Sequence, residues 1–284
     1  MERRELGATG EKLSVVGFGG IVVRKETAQD AGRYVAEAID RGVNYFDVAP
    51  TYGDAEERLG PALKSRRGKV FLACKTTERT KAGASKDLAN SLRCLETDHF
   101  DLYQLHGVVS MDEVKSILAP GGALETLVEA REKGLVRFLG FSAHSEEAAC
   151  ALLDAFPFDS VMFPINYVTW LQGNVGPRVM EAARRKGAGV IALKALAQRR
   201  LEKGEDRVWP KCWYKPVETA EEASLALRFT LSKPVTAALS PSHMELLRWQ
   251  MDAAAKLSPL TAAEETYLKE RAARLQPVFS MSSG

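Results

Sequence analysis

An acid, a phenol, an amine and an imidazole stand at or just past the ends of successive strand-like runs of this chain. Asp47 closes Asn44-Tyr45-Phe46-Asp47, and Tyr52 follows in the next loop. Lys75 closes the run Val70–Lys75, and His106 closes Asp101–His106. A free phenol has a pKa near 10. An ammonium beside it favours the phenolate, so Lys75 is expected to pull Tyr52 down. Asp47 is expected to keep Lys75 charged and oriented. The product is a general acid that can give or take a proton near neutral pH. His106 is expected to hydrogen-bond a substrate oxygen beside Tyr52 or to relay its proton. This set suits a carbonyl, because the phenol protonates the oxygen while a nucleophile reaches the carbon. No activated Ser or Cys is apparent, so a hydride donor of the nicotinamide or flavin type is the natural supplement. No metal-ligand spacing is present.

These residues need elements that bring them together. Strand-like and helix-like segments alternate along the chain. Strands are expected at Val15–Gly19, to Asp47, to Lys75, to His106, at Val136–Ser142, Ser160–Pro164, Val190–Lys194 and Val235–Leu239. Helices are expected over Thr27–Arg41, through Glu56, Leu59 and Leu63, and over Ser85–Leu95, Leu124–Lys133, Ser145–Phe156, Val175–Lys186 and Thr219–Leu231. Capping boxes are expected at Thr219/Glu222, Ser242/Glu245 and Thr261/Glu264. The second opens the eighth helix, and the third opens an extra C-terminal helix reaching Leu275. Alternation of this kind predicts an α/β fold, a (β/α)8 TIM barrel, as a single domain over residues 1–284. A hairpin over Glu5–Leu13, with Gly in its turn, is expected to plug the N-terminal mouth. Strand C-termini of such a barrel share one face, where chemistry is built.

Composition narrows the class. The hydrophobic share is 45% and the charged share 27%, which are ordinary globular values. A net charge of +2 lacks the basic footprint of nucleic-acid binders. No apolar run approaches the roughly 20 residues of a membrane span. The N-terminus leads into no apolar signal segment. Cys74, Cys94, Cys150 and Cys212 form no Cys-x-x-Cys pair, and the first three are expected to be buried thiols in a reducing, cytoplasmic setting. The stretch 195–218 is the longest expected irregular segment. It interleaves Arg199, Arg200, Lys203, Arg207, Lys211 and Lys215 with Trp209, Trp213 and Tyr214. A charged surface loop and a lid over an anionic, planar ligand are both open readings.

The run Asn44–Gly53, with the later Glu57, Leu59 and Gly60, resembles the signature of the aldo-keto reductases. Cys74-Lys75-Thr76 and Leu102-Tyr103-Gln104-Leu105-His106 resemble the segments bearing that family's Lys and His. Leu139-Gly140-Phe141-Ser142 is similar to its fifth-strand segment, and 225–235 to the segment before strand eight. Gly17-Phe18-Gly19-Gly20, Lys194 and Cys212-Trp213-Tyr214 are similar to a subgroup of iron–sulfur-associated members, without the cysteine-rich C-terminal segment that many of those append. The resemblance implies reduction of aldehydes and ketones, a small-molecule carbonyl substrate, and NADP (NADPH) held extended, with NAD also possible. It implies Tyr52 as proton donor, Lys75 and Asp47 as its tuners and His106 as substrate orienter. Cofactor contacts are implied at Gly20, Asp47, Ser142, Met162, Leu193, Lys194, Ser240, Ser242 and Gln250. The chain departs from the family at Met162, where Gln is common, and at Leu193–Lys194, where an aromatic often stacks on the nicotinamide. After strand eight it reads Ala238-Leu239-Ser240-Pro241-Ser242-His243. Arg248 or the basic loop is then expected to supply charge for a phosphate.

Two rival readings stay open at this stage. One is a Schiff-base, aldolase-like barrel using Lys75 or Lys194. The other is a nucleotide-binding homologue without catalysis. Val22, Val23, Tyr45, Trp170 and Trp213 are candidate pocket walls. Oligomeric state is not legible.

Overall fold

Short apolar runs become strands here because their alternate side chains find two different interiors. A computed structural model describes residues 1–279. The chain opens with an antiparallel hairpin, β1 (Arg3–Glu5) and β2 (Lys12–Ser14). Eight parallel strands then close a barrel. They are β3 (Val16–Gly19), β4 (Tyr45–Asp47), β5 (Phe71–Thr76), β6 (Phe100–Val108), β7 (Val136–Ala143), β8 (Ser160–Pro164), β9 (Gly189–Leu193) and β12 (Ala237–Leu239), with β12 pairing both β9 and β3. The remaining pair, β10 (Ala197–Arg200) and β11 (Tyr214–Pro216), forms a second antiparallel hairpin between β9 and β12.

Successive side chains of a strand face opposite sides. Tyr45, Phe71, Ala73, Leu102, Met162, Ile191, Ala237 and Leu239 fill the barrel's inside. Their neighbours Phe46, Leu72, Cys74, Tyr103 and Leu105 belong to the larger layer between barrel and helices. Following the inward set to the strand ends gives Asp47 on β4, Lys75 on β5, and Gln104 then His106 on β6. Register aligns them, since Asp47 pairs Ala73 and Lys75 pairs Gln104.

Helices α1 (Ala28–Asp40), α2 (Ala55–Leu63), α3 (Lys81–Cys94), α4 (Met111–Leu118), α5 (Ala123–Glu132), α6 (Glu146–Ala155), α7 (Tyr167–Gly173), α8 (Pro177–Lys186), α9 (Ala220–Leu231), α10 (Met244–Ala255) and α11 (Ala262–Ala272) surround the strands. None of the described helices is long and apolar enough to cross a membrane.

Several expectations need correction. Helices α4 and α7 were not anticipated, although Ser110 and Asn166 cap their first turns. Helix α3 starts at Lys81, earlier than expected, because Thr80 accepts from the Gly83 N–H. The stretch 195–218 is not wholly irregular, since it holds the β10–β11 hairpin. The Thr261/Glu264 box forms in full. At Thr219 only half forms: Glu222 accepts from the Glu218 N–H and the Gln198 amide instead. The Ser242/Glu245 box does not form, because His243 precedes the helix and the Ser242 hydroxyl lies 3.0 Å from the Cys212 sulfur. Cys74, Cys150 and Cys212 are buried free thiols, whereas Cys94 is half-exposed.

The N-terminal hairpin does close one end of the barrel. Leu6 and Leu13 are fully buried in the inner apolar cluster. Gly7, at φ +53°, passes so close to β9 that a Cβ would lie 2.3 Å from the Gly187 carbonyl oxygen.

Candidate active site

At the open end, side chains from three strands, β4, β5 and β6, converge on Asp47. Its carboxylate accepts from the Tyr45 hydroxyl at 3.0 Å and from the Gln104 amide at 3.0 Å, and it pairs with the Lys75 ammonium. Lys75 also donates to the Val48 carbonyl at 3.4 Å. Burial works to strip Lys75 of its proton, but the charge of Asp47 and its hydrogen bond lead the causes that reverse this and hold its pKa above the ordinary lysine value. Lys75 is therefore a fixed cation.

The ring centroid of Tyr52 lies 5.6 Å from Lys75 Nζ. Here the sequence expectation is overturned in sign. Burial raises the Tyr52 pKa, Lys75 lowers it, Asp47 raises it again, and the net direction is upward. Desolvation outweighs the neighbouring ammonium because that ammonium is already paired with a carboxylate. Tyr52 therefore holds its proton at neutral pH. The His106 ring meets the Tyr52 ring edge-on, with centroids 5.8 Å apart and planes at 87°. Burial, then the charges of Lys75, His144, Lys194 and Arg79, push the His106 imidazole down to about 3. It is neutral, and its Nδ1 has no partner among the described residues. Arg79 fixes this strand end by donating to the His106 carbonyl at 2.9 Å while bound to Glu113.

Tyr52 lines a cavity of about 270 Å³. Its other walls come from Gly19 at the end of β3 and Ile21 beyond it, Thr51, Leu193 at the end of β9 and Lys194 beyond it, residues 211–214, and Leu239 at the end of β12 with Ser240–Ser242 beyond it. A larger cavity of about 640 Å³ lies at the plugged end, against Gly7, Trp170 and Val235, and holds none of the four residues. Proton chemistry follows the side chains, so the smaller cavity is the candidate site.

Of the catalytic and cofactor residues expected from sequence, Tyr52, Leu193, Lys194, Ser240 and Ser242 line this cavity, and His106 does not. Asp47 and Lys75 sit behind Tyr52. Ser240 accepts the Gly19 N–H at 2.9 Å, and a Cβ on Gly19 would lie 2.7 Å from the Ser240 carbonyl. Gly20, Ser142, Met162 and Gln250 are not among the lining residues. Gly20 opens a short 3-10 turn packed on Val48. The Ser142 hydroxyl accepts the Gly107 N–H at 2.6 Å. Met162 is packed in the inner apolar cluster. Gln250 is fully buried, and neither amide atom has a partner among the described residues. Arg248 is engaged by both oxygens of Glu37. Among the candidate walls, Trp213 lines the site, Val22, Val23 and Tyr45 are fully buried, and Trp170 belongs to the opposite end.

Residues 209–214 cross the mouth as a strap. Lys211 donates to the Val22 carbonyl at 2.8 Å and pairs with Glu26 at 2.6 Å, and its N–H donates to His243 Nε2 at 3.1 Å. Its apolar support is Trp209 against His243 and Trp249. Gln104, Tyr45 and Arg79 were not anticipated as partners of the four. The inward phase shared by Leu102, Gln104 and His106 was the available signal for the first. Among the described residues no cluster of His, Cys, Asp and Glu is placed to hold a metal.

The chain is similar to several known proteins. It is 29% identical to L-galactose dehydrogenase of Arabidopsis thaliana, over 99% of this chain and 97% of that one. It is 32% identical to the uncharacterized oxidoreductase YqkF of Bacillus subtilis, over 50% of this chain and 49% of that protein, so it spans about half the length of that relative. The fold matches the holo form of the aldo-keto reductase AKR11C1 from Bacillus halodurans, with a TM-score of 0.72 at 24% identity, over 95% of this chain and 96% of that one. The sequence model described as Aldo/keto reductase family matches residues 15–271, and this chain belongs to that family.

Proposed function

We propose that the protein reduces an aldehyde or ketone to an alcohol, with Tyr52 as proton donor and NADPH as the bound reductant, NADH being the alternative. The observation that carries this reading is the buried Asp47–Lys75 pair directly behind Tyr52. Tyr52 keeps its proton until a carbonyl oxygen gains negative charge beside it. It then passes that proton on, and the Lys75 charge stabilises the phenolate left behind. Asp47, held by Tyr45 and Gln104, keeps Lys75 aimed at Tyr52. Neutral His106 offers a ring nitrogen to the same oxygen, which orients the substrate.

A nicotinamide dinucleotide would supply the hydride. The residues present fit such a group. The cavity runs from Tyr52 to the start of α10, and Ser240 and Ser242 stand on its wall. The choice of NADPH over NADH rests on family membership, since Arg248 is committed to Glu37. We further read the chain as one barrel domain acting on a small-molecule carbonyl in the cytoplasm.

An imine at Lys194 is the second reading, favoured by one observation: burial lowers that amine to about 8. It leaves the Asp47–Lys75–Tyr52 arrangement without a task. Fluorescence titration with NADPH and NADH, followed by turnover of a carbonyl panel, tests the reductase reading. Saturable binding and carbonyl-dependent oxidation of the cofactor are expected. No binding of either nucleotide, together with a borohydride-trapped adduct on Lys194, would replace it with the imine reading.

A further inference from the structure

Strand β6 changes phase at His106. Leu105 pairs with Phe141 and Val108 with Ala143, so His106 and Gly107 together face the single residue Ser142 of β7. The extra residue makes a β-bulge, a feature rare between parallel strands that bends its strand and re-aims a side chain. Plain alternation would place Val108 inside the barrel with Leu102, yet Val108 packs in the outer layer. Gly107 absorbs the turn at φ +65°, in the left-handed region. His106 is therefore the last inward side chain of β6, and the bulge sets where its ring lies.

A bulge takes backbone groups out of the ladder, and such groups need other partners. Three side chains supply them here. The Gly107 N–H donates to the Ser142 hydroxyl at 2.6 Å. The His106 carbonyl accepts from Arg79 at 2.9 Å. The Val109 N–H donates to Glu113 at 2.7 Å. Arg79 and Glu113 are joined at 2.8 Å, so the last two contacts form one clamp across the bulge. Its halves come from different elements. Arg79 lies in the loop after β5, the strand of Lys75, and Glu113 lies in the first turn of α4, three residues after its cap Ser110. The pair is part-buried, and neither residue is among those lining the cavity. An ion pair that served stability alone would have no need to grip this bulge at both ends.

We propose that Arg79 and Glu113 are positioning residues of the reaction, holding the bulge so that the His106 ring stays against Tyr52. The effect on turnover rests on the reductase reading, whereas the placement of the ring does not. A misplacement of about 1 Å costs about 10²-fold in rate.

The test uses the whole chain, as wild type, Arg79→Met, Arg79→Lys, Glu113→Ala, His106→Phe and the double variant of Arg79→Met with His106→Phe. Reduction of para-nitrobenzaldehyde gives kcat, and fluorescence gives NADPH affinity. The imidazole nitrogens are followed by NMR after isotopic labelling of histidine, of which the chain has four. His106→Phe assigns the His106 signals. Arg79→Met and Glu113→Ala are expected to lower kcat about tenfold or more, to leave NADPH affinity within about twofold, and to move the His106 signals. Arg79→Lys should recover part of the rate, since an ammonium still serves the carbonyl and the carboxylate. In the His106→Phe background Arg79→Met should cost almost nothing further, because both changes remove one function. Should Arg79→Met not fold, Glu113→Ala with His106→Phe makes the same comparison. Equal losses in both backgrounds overturn the proposal, as do His106 signals that stay in place. A fall in urea midpoint with kcat unchanged also overturns it and leaves the pair a structural clamp. If wild type reduces no aldehyde, the reductase reading fails, and the His106 signals alone uphold or overturn the placement.

Discussion

Lys75 and Asp47 meet across adjacent strands with only 1% and 0% of their side chains exposed, so the ion pair behind Tyr52 is sealed from water. Two further donors, from Tyr45 and Gln104, complete the carboxylate. The pair and its two supporting side chains are all borne on strands, which is the rigid support a proton donor needs.

Asp47→Asn removes the carboxylate and leaves a buried ammonium without a counter-charge. Breaking a buried pair in this way costs about 3–5 kcal/mol. Urea unfolding should show that loss, and turnover should fall with it because Lys75 no longer stays charged beside Tyr52. A midpoint equal to wild type would show that the pair holds nothing in place.

Tyr52→Phe keeps the ring against His106 and removes the proton. Loss of a general acid lowers turnover by about 10²–10⁴. Carbonyl reduction should fall in that range while NADPH titration stays near wild type. Turnover within a few-fold of wild type would place the donor elsewhere.

His106 and His144 are both pushed from 6.5 to about 3, chiefly by burial. Between those values the unfolded chain binds more protons than the folded one, so stability rises with pH across this window. The contribution is complete above about 6.5 and is lost progressively as pH falls towards 3. At pH 5 each imidazole should cost about 2 kcal/mol relative to neutral pH. Urea midpoints from pH 8 to 5 should fall for wild type and fall less for His144→Asn. Parallel curves would contradict the assignment.

Leu6→Ala opens a void under the barrel floor. A fully buried leucine cut to alanine costs about 2–5 kcal/mol. Thermal unfolding should report the loss, while kcat should match wild type, since Leu6 is at the end away from Tyr52. An equal fall in kcat would mean that the two ends are coupled.

The barrel was legible because its strands are short apolar runs that end on polar residues, and Asp47, Lys75 and His106 could be placed by those ends alone. What neighbours do to one another was less legible. The upward shift of Tyr52 depends on how much water burial removes, which no spacing records. Ser242 carries the pattern of a helix cap, yet its hydroxyl is taken by Cys212, thirty residues away in sequence. Gln104 was passed over because one polar residue inside an apolar strand looks like noise until the phase of Leu102 and His106 is counted. Helix α7, Tyr167–Gly173, went unread because two turns are too short to display a 3.6-residue period. The Lys211 clasp to Glu26 spans 185 residues, a distance over which charge pattern carries no information.

The leucine stopper at the foot of the barrel has a kinetic consequence. With Leu6 and Leu13 closing that end, molecules reaching Tyr52 share a single doorway. Whichever of two reactants sits deeper must arrive first and depart last. On the reductase reading, this geometry favours sequential kinetics with a compulsory order, which product-inhibition patterns would reveal.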